Sequence, residues 1–97
     1  MQFNMKAVSV FRDRTKIDDR SFVEVAIWKA PTPMRGSTHY FKYRLAFVVD
    51  DKCVIRFDNE ARKGDHVHIG GLEKPYAFTN AETLLADFRT AVLGWRR

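Results

Sequence analysis

Cysteine is almost missing from this chain: Cys53 is the single one in 97 residues. An intrachain disulfide is therefore excluded, and so is a zinc site built on thiolates. Proline and glycine are sparse, at three and five residues, and no segment is repetitive or of low complexity. No run approaches the roughly 18 apolar residues that span a membrane. The start, Met1-Gln2-Phe3-Asn4-Met5-Lys6, lacks the apolar stretch of a signal peptide. These absences point to a cytoplasmic protein with no membrane attachment.

What the chain does have is material for a core. Apolar residues make up 45 % of it, and eight of its aromatics are Phe. That content argues against disorder. The length suits one domain over residues 1–97, with a sheet over about 5–70 and a helix over about 80–96. The net charge is +5. Residues 1–48 hold nine Lys/Arg against four Asp/Glu, whereas residues 49–97 hold eight of each. A surplus of this kind suits nucleic acid or an acidic partner protein. It is equally what a soluble, mixed-charge surface looks like.

The apolar residues recur with a period of two for most of the chain. Met5 to Arg14 reads as a strand, Ile17-Asp18-Asp19-Arg20 as a turn, and Ser21 to about Lys29 as a second strand with Val23, Val25 and Ile27 on one side. Ala30 to Thr38, with two prolines and Arg35 at its tip, reads as a loop and as the mobile segment. Phe41, Tyr43, Leu45, Phe47 and Val49 then alternate, and Cys53, Ile55 and Phe57 answer them on a return strand. A three-residue loop, Asp50-Asp51-Lys52, sets Val49 opposite Cys53, Phe47 opposite Ile55 and Leu45 opposite Phe57. It also sets Arg44 opposite Asp58 and Lys42 opposite Glu60. This register turns Cys53 toward the core. His66-Val67-His68-Ile69 reads as a short fifth strand, ended by Gly70-Gly71, with Glu73-Lys74-Pro75-Tyr76 as a connector. Thr79 and Glu82 have capping-box spacing, and Leu84, Leu85, Phe88, Val92 and Trp95 form one helical stripe. The fold class is α+β: an antiparallel sheet of four to five strands with one C-terminal helix packed on one face.

Chemistry concentrates between Arg56 and Gly71. Residues two apart in a strand share a face, so His66 and His68 point the same way. Paired imidazoles support general acid–base work, because one accepts a proton while the other donates. Metal-independent RNA cleavage needs that pair and a nearby cation, and Lys63, Arg62, Arg56 and Arg44 are candidates. Metal ligation by His66, His68 and Asp65 is a second chemistry, but the only other histidine, His39, is distant in sequence. Histidines that only hydrogen-bond loops are the third reading. Tyr40, Tyr43 and Tyr76 either stack bases or are half-buried sheet residues.

Several strings resemble the TumE-like toxin family. They are Phe11-Arg12-Asp13-Arg14, Asp18-Asp19-x-Ser21-x-x-Glu24 with Ile27-Trp28, and Phe41-Lys42-Tyr43-Arg44-Leu45-Ala46 with Val48-Val49-Asp50. The most specific is Phe57-Asp58-Asn59-Glu60 followed by Lys63-Gly64-Asp65-His66-x-His68-Ile69-Gly70-Gly71. Pro75-Tyr76-x-Phe78 and a closing Trp95-Arg96-Arg97 complete the match. The resemblance implies the toxin of a type II toxin–antitoxin pair, held by an antitoxin with a helix-turn-helix DNA-binding domain. It carries no catalytic residues over, and the chain lacks the N-terminal helices of RelE-type ribonucleases.

The residues and the resemblance together give one main expectation: an RNA endonuclease without cofactor or metal. His66, His68 and Lys63 are its catalytic candidates, and Arg44, Arg56, Lys42 and Tyr43 its substrate-binding candidates. The alternative is a non-enzymatic module whose basic surface docks on nucleic acid or an acidic protein. In the enzyme reading both imidazoles lie on the sheet face away from the helix, partly exposed. At least one should then lie within about 8 Å, one Debye length, of a guanidinium.

Overall fold

The computed structural model describes residues 8–33, 39–60 and 63–96. Its strands form one antiparallel sheet in chain order: β1 (Val8–Asp18), β2 (Ser21–Lys29), β3 (Phe41–Val49), β4 (Lys52–Glu60), β5 (Gly64–Ile69) and β6 (Leu72–Pro75). One helix, α1 (Ala81–Arg96), follows. The α+β class and the single C-terminal helix on one face agree with the sequence reading, but the sheet has six strands rather than four to five. The additional strand is β6, which reads as a connector because four residues ending in Pro75 are too few to display alternation. β1 also runs on through Ile17 to Asp18, into the expected turn, which narrows to Asp19-Arg20. Met5, Arg35 and Arg62 lie outside the described residues.

The β3–β4 hairpin reaches the expected core register by another route. Its loop has two residues, Asp50 and Asp51, both at positive φ (51° and 65°), as in the primed turns that match strand twist. Val49 therefore faces Lys52, not Cys53. An extra residue at Val54 then shifts the ladder, so that Phe47 faces Ile55, Leu45 faces Phe57 and Arg44 faces Asp58. The bulge absorbs the one-residue offset that otherwise turns every side chain to the wrong face. Cys53, on the turn side of the bulge, is exposed.

Ile27, Tyr43, Leu45, Phe47, Ile55, Phe57 and Val67 pack beneath Leu84, Phe88 and Val92 of α1. Phe57 and Phe88 meet edge to face at 5.8 Å, a favoured aromatic geometry. The cap sits one residue later than Thr79: Asn80 Oδ1 accepts from the Thr83 backbone N–H at 2.7 Å, which satisfies a free donor of the first turn. Trp95 leaves the buried stripe and is 43 % exposed. β1 is exposed along its length, and α1 touches only its end, where Arg96 donates to Asp18 at 3.2 Å.

The ladder between β3 and β4 ends at Arg44 and Asp58. Beyond it, a buried side chain takes over. Asn59, 1 % exposed, donates to the Phe41 carbonyl at 2.7 Å and accepts from the Tyr43 N–H at 3.0 Å. The pairing expected between Lys42 and Glu60 gives way: Lys42 donates to the Asn59 carbonyl, and Glu60 faces Lys63. Asn59→Ala leaves two backbone groups in the core without partners. We expect a loss of about 2–4 kcal/mol in urea unfolding; a loss below about 1 kcal/mol would show that water replaces the amide.

Candidate functional site

Strand alternation divides β4 and β5 between two environments. Ile55, Phe57, Val67 and Asp65 face the helix, whereas Arg56, Asp58, His66 and His68 face away from it. Antiparallel pairing puts Asp58 beside His66 and Arg56 beside His68. On the far side, β6 brings Pro75 against His66 and Glu73 against His68. The imidazoles therefore lie on the expected face, and the Arg56 guanidinium is 3.0 Å from His68 Nε2. Exposure differs from the expectation for one ring. The His68 side chain is 27 % exposed, but that of His66 only 5 %. Its burial follows from β6, which makes β5 an inner strand.

The hydrogen bonds make the two rings inequivalent. His66 Nδ1 lies 3.2 Å from the Gly64 carbonyl. A carbonyl only accepts, so Nδ1 carries a hydrogen and the other nitrogen, Nε2, faces the site. There it lies 2.8 Å from Asp58 Oδ1. His68 Nε2 receives a hydrogen bond from Arg56, which only donates, so this nitrogen carries a lone pair. The ring centroids are 5.0 Å apart, edge on at 77°. Arg56 Nε also lies 3.0 Å from Asp58 Oδ2. Despite these short distances, Arg56 Nε, Asp58 Oδ1 and His66 Nε2 are buried without an aligned hydrogen bond. Buried polar atoms in that state are rare and call for an explanation.

The remaining candidates divide. Lys63 stands at the rim, 3.4 Å from Glu73 and 3.9 Å from Glu60. Glu73 Oε2 in turn lies 3.8 Å from His66 Nε2 and 3.7 Å from His68 Nε2. Loss of solvent raises the Glu73 carboxyl, but Lys63 beside it, with smaller contributions from His68 and His66, holds it below the usual carboxylate range. Arg44 is exposed on the same face, opposite Asp58. Lys42 shares that face through its bond to Asn59. Tyr43 lies apart, fully buried under the helix. Asp65, too, is on the helix side, so the expected trio of His66, His68 and Asp65 does not assemble, and Asp58 takes the place of Asp65. The groove of about 540 Å³ between Arg14, Lys16, Arg20 and Asp50 lies at the opposite end of the sheet and includes none of these residues.

Sequence reasoning missed Asp58 and Glu73 as members of this cluster. The signal for Asp58 was its alternation with Arg56 and Glu60; Glu73 carried none without β6. A second polar group, under the helix, was also missed. Asp65 Oδ2 accepts from His39 Nε2 and from the Tyr43 hydroxyl, each at 2.7 Å. His39 Nδ1 accepts from the Phe41 N–H at 3.0 Å, and its ring stacks on Phe78 at 3.9 Å. These bonds tie the start of β3 to β5.

The model of the family described as Toxin TumE matches residues 3–96. The chain belongs to this toxin family. Comparison with curated proteins and with solved structures returned no match. The match extends over β1 to α1 and so includes both polar clusters. No helix among the described residues is long and apolar enough to cross a membrane.

Tyr43 gives a stability test of this frame. Burial, and then its bond to Asp65, raise the phenol well above its ordinary value. The folded chain keeps this proton where an unfolded tyrosine, with a pKa of about 10, loses it. Stability is thus whole below pH ~10 and falls as pH rises above it. Tyr43→Phe should flatten that alkaline slope in urea unfolding while costing about 1 kcal/mol at neutral pH. Equal slopes in the two proteins would show that Tyr43 does not carry the effect.

Proposed function

We propose that this toxin acts as an RNA endonuclease that works without a metal ion. The observation that carries the reading is the pair of inequivalent imidazoles, with centroids 5.0 Å apart, beside Arg56 on the sheet face that the helix leaves open. His68 is the base, since its Nε2 holds a lone pair at the more exposed position. It takes the proton of a 2′-hydroxyl, the 2′-oxygen attacks the adjacent phosphorus, and the bond to the 5′-oxygen breaks. His66 is the acid. A proton on its Nε2 passes to the leaving 5′-oxygen, and Asp58 holds the ring in place. The products are a 2′,3′-cyclic phosphate and a 5′-hydroxyl. Arg56 turns from His68 to the phosphate, where with Arg44 and Lys63 it offsets the charge that develops on the non-bridging oxygens.

The family assignment also supports a cognate antitoxin, which in this reading carries a helix-turn-helix DNA-binding domain and holds the toxin inactive in the cytoplasm. The basic surplus of residues 1–48 suits the RNA backbone.

Purified protein incubated with RNA in EDTA tests the reaction. Wild-type protein should leave cyclic-phosphate ends. His68→Gln and His66→Gln should each slow cleavage by about 10²-fold or more while keeping the far-UV circular dichroism of the wild type. Lys63→Ala should weaken it less. Undiminished cleavage in both histidine variants would sink the assignment. Salt-dependent RNA binding without turnover would instead favour the non-enzymatic module.

A further inference from the structure

We propose that Asp58, His66 and His68 form a binding site for one transition-metal ion of the zinc type, and that its occupancy inhibits the acid–base pair. Binding is argued independently of the ribonuclease reading; the inhibitory consequence rests on it.

Asp58, His66 and His68 each offer one ligand atom within 4.8 Å of the others, and Asp58 Oδ1 and His66 Nε2 are 2.8 Å apart. Ligands on a tetrahedral zinc are about 3.3 Å apart, given zinc–nitrogen distances of about 2.0–2.1 Å. Small side-chain rotations therefore suffice. The spacing is held by the sheet, because Asp58 and His66 are ladder partners and His68 follows two residues on. Two imidazoles and one carboxylate select zinc, cobalt or nickel over magnesium, which prefers an all-oxygen shell.

A second observation points the same way. Asp58 and His66 are 6 % and 4 % exposed, yet Asp58 Oδ1 and His66 Nε2 have no aligned hydrogen-bond partner. His66 is also held as metal-ligating histidines are: Nδ1 donates to the Gly64 carbonyl, which orients the ring and leaves Nε2 toward the ion. The Glu73 carboxylate, 3.8 and 3.7 Å from the two ring nitrogens, is placed for the fourth position.

Arg56 is the competitor. Its guanidinium occupies the His68 lone pair and neighbours Asp58. With about a third of its side chain exposed, it has room to swing out when the ion enters. A bound ion takes the Nε2 lone pairs of both rings, so neither Nε2 can accept or carry a proton.

Titration calorimetry of the tag-free protein with Zn²⁺, together with Co²⁺ absorption, tests the site directly. One ion per chain should bind, and Mg²⁺ should not compete. Asp58→Asn and His68→Gln, both checked for native circular dichroism, should weaken binding by about 10-fold or more. Arg56→Gln should tighten it several-fold, and His39→Gln should leave it unchanged. Absence of Zn²⁺ binding, or binding that survives both Asp58→Asn and His68→Gln, would overturn the site. So would weaker binding in Arg56→Gln, which would make the guanidinium a support rather than a rival. In the RNA assay, Zn²⁺ should abolish wild-type cleavage and EDTA restore it; cleavage that requires Zn²⁺ would overturn the inhibitory role. Zn²⁺ binding without any RNA cleavage would refute the ribonuclease reading and leave the metal site standing.

Discussion

The register of β4 against β3 and β5 sets both faces of the molecule at once. Side chains alternate along a strand, so a shift of one residue would bury Arg56 and Asp58 under the helix and expel Ile55 and Phe57. The bulge at Cys53 and Val54 prevents this. It lets the hairpin use a tight two-residue turn at Asp50-Asp51 while the rest of β4 stays in phase with β3. From that register follow the aromatic packing of Phe57 on Phe88 and the placement of Asp58 next to His66.

The central strands thus carry apolar packing on one side and a dense charged cluster on the other. The cluster is a compromise in physical terms. Asp58 and His66 are buried deeply enough that their polar atoms need partners, and Arg56, Glu73 and Lys63 surround them. Yet the inner atoms lack well-aligned hydrogen bonds. An arrangement optimised only for stability would satisfy or remove them, since unpaired buried polar groups are costly. The second polar group, Asp65 with His39 and Tyr43, shows what satisfaction looks like in the same fold. Each donor there has a defined acceptor, and the group serves to pin β3 to β5.

The edges of the sheet differ as sharply as its faces. β6 is short, ends in Pro75 and borders the cluster. β1 is 11 residues long and exposed throughout, with Val8, Val10 and Phe11 in contact with solvent. Helix α1 joins the core of the central strands through Leu84, Phe88 and Val92. The polar cluster therefore lies beneath the part of the sheet that is packed best, a rigid platform for residues that must hold their spacing.

The sequence by itself determined the alternation of β2 to β5, the apolar stripe of α1, the shared face of His66 and His68, and the family. Each depends on near neighbours in the chain or on a motif, and periods of two and 3.6 residues are visible without tertiary knowledge. Only the tertiary structure decided the rest. The bulge was invisible because it compensates the turn, and either feature alone would have misplaced the core. β6 was hidden by its length, and with it went the burial of His66 and the approach of Glu73. The helix cap at Asn80 rather than Thr79 turned on which side chain reached a free N–H. Asp58 joined the histidines, and Asp65 left them, because a strand separates consecutive residues onto opposite faces. Pairing across strands then brings together side chains that the chain holds apart.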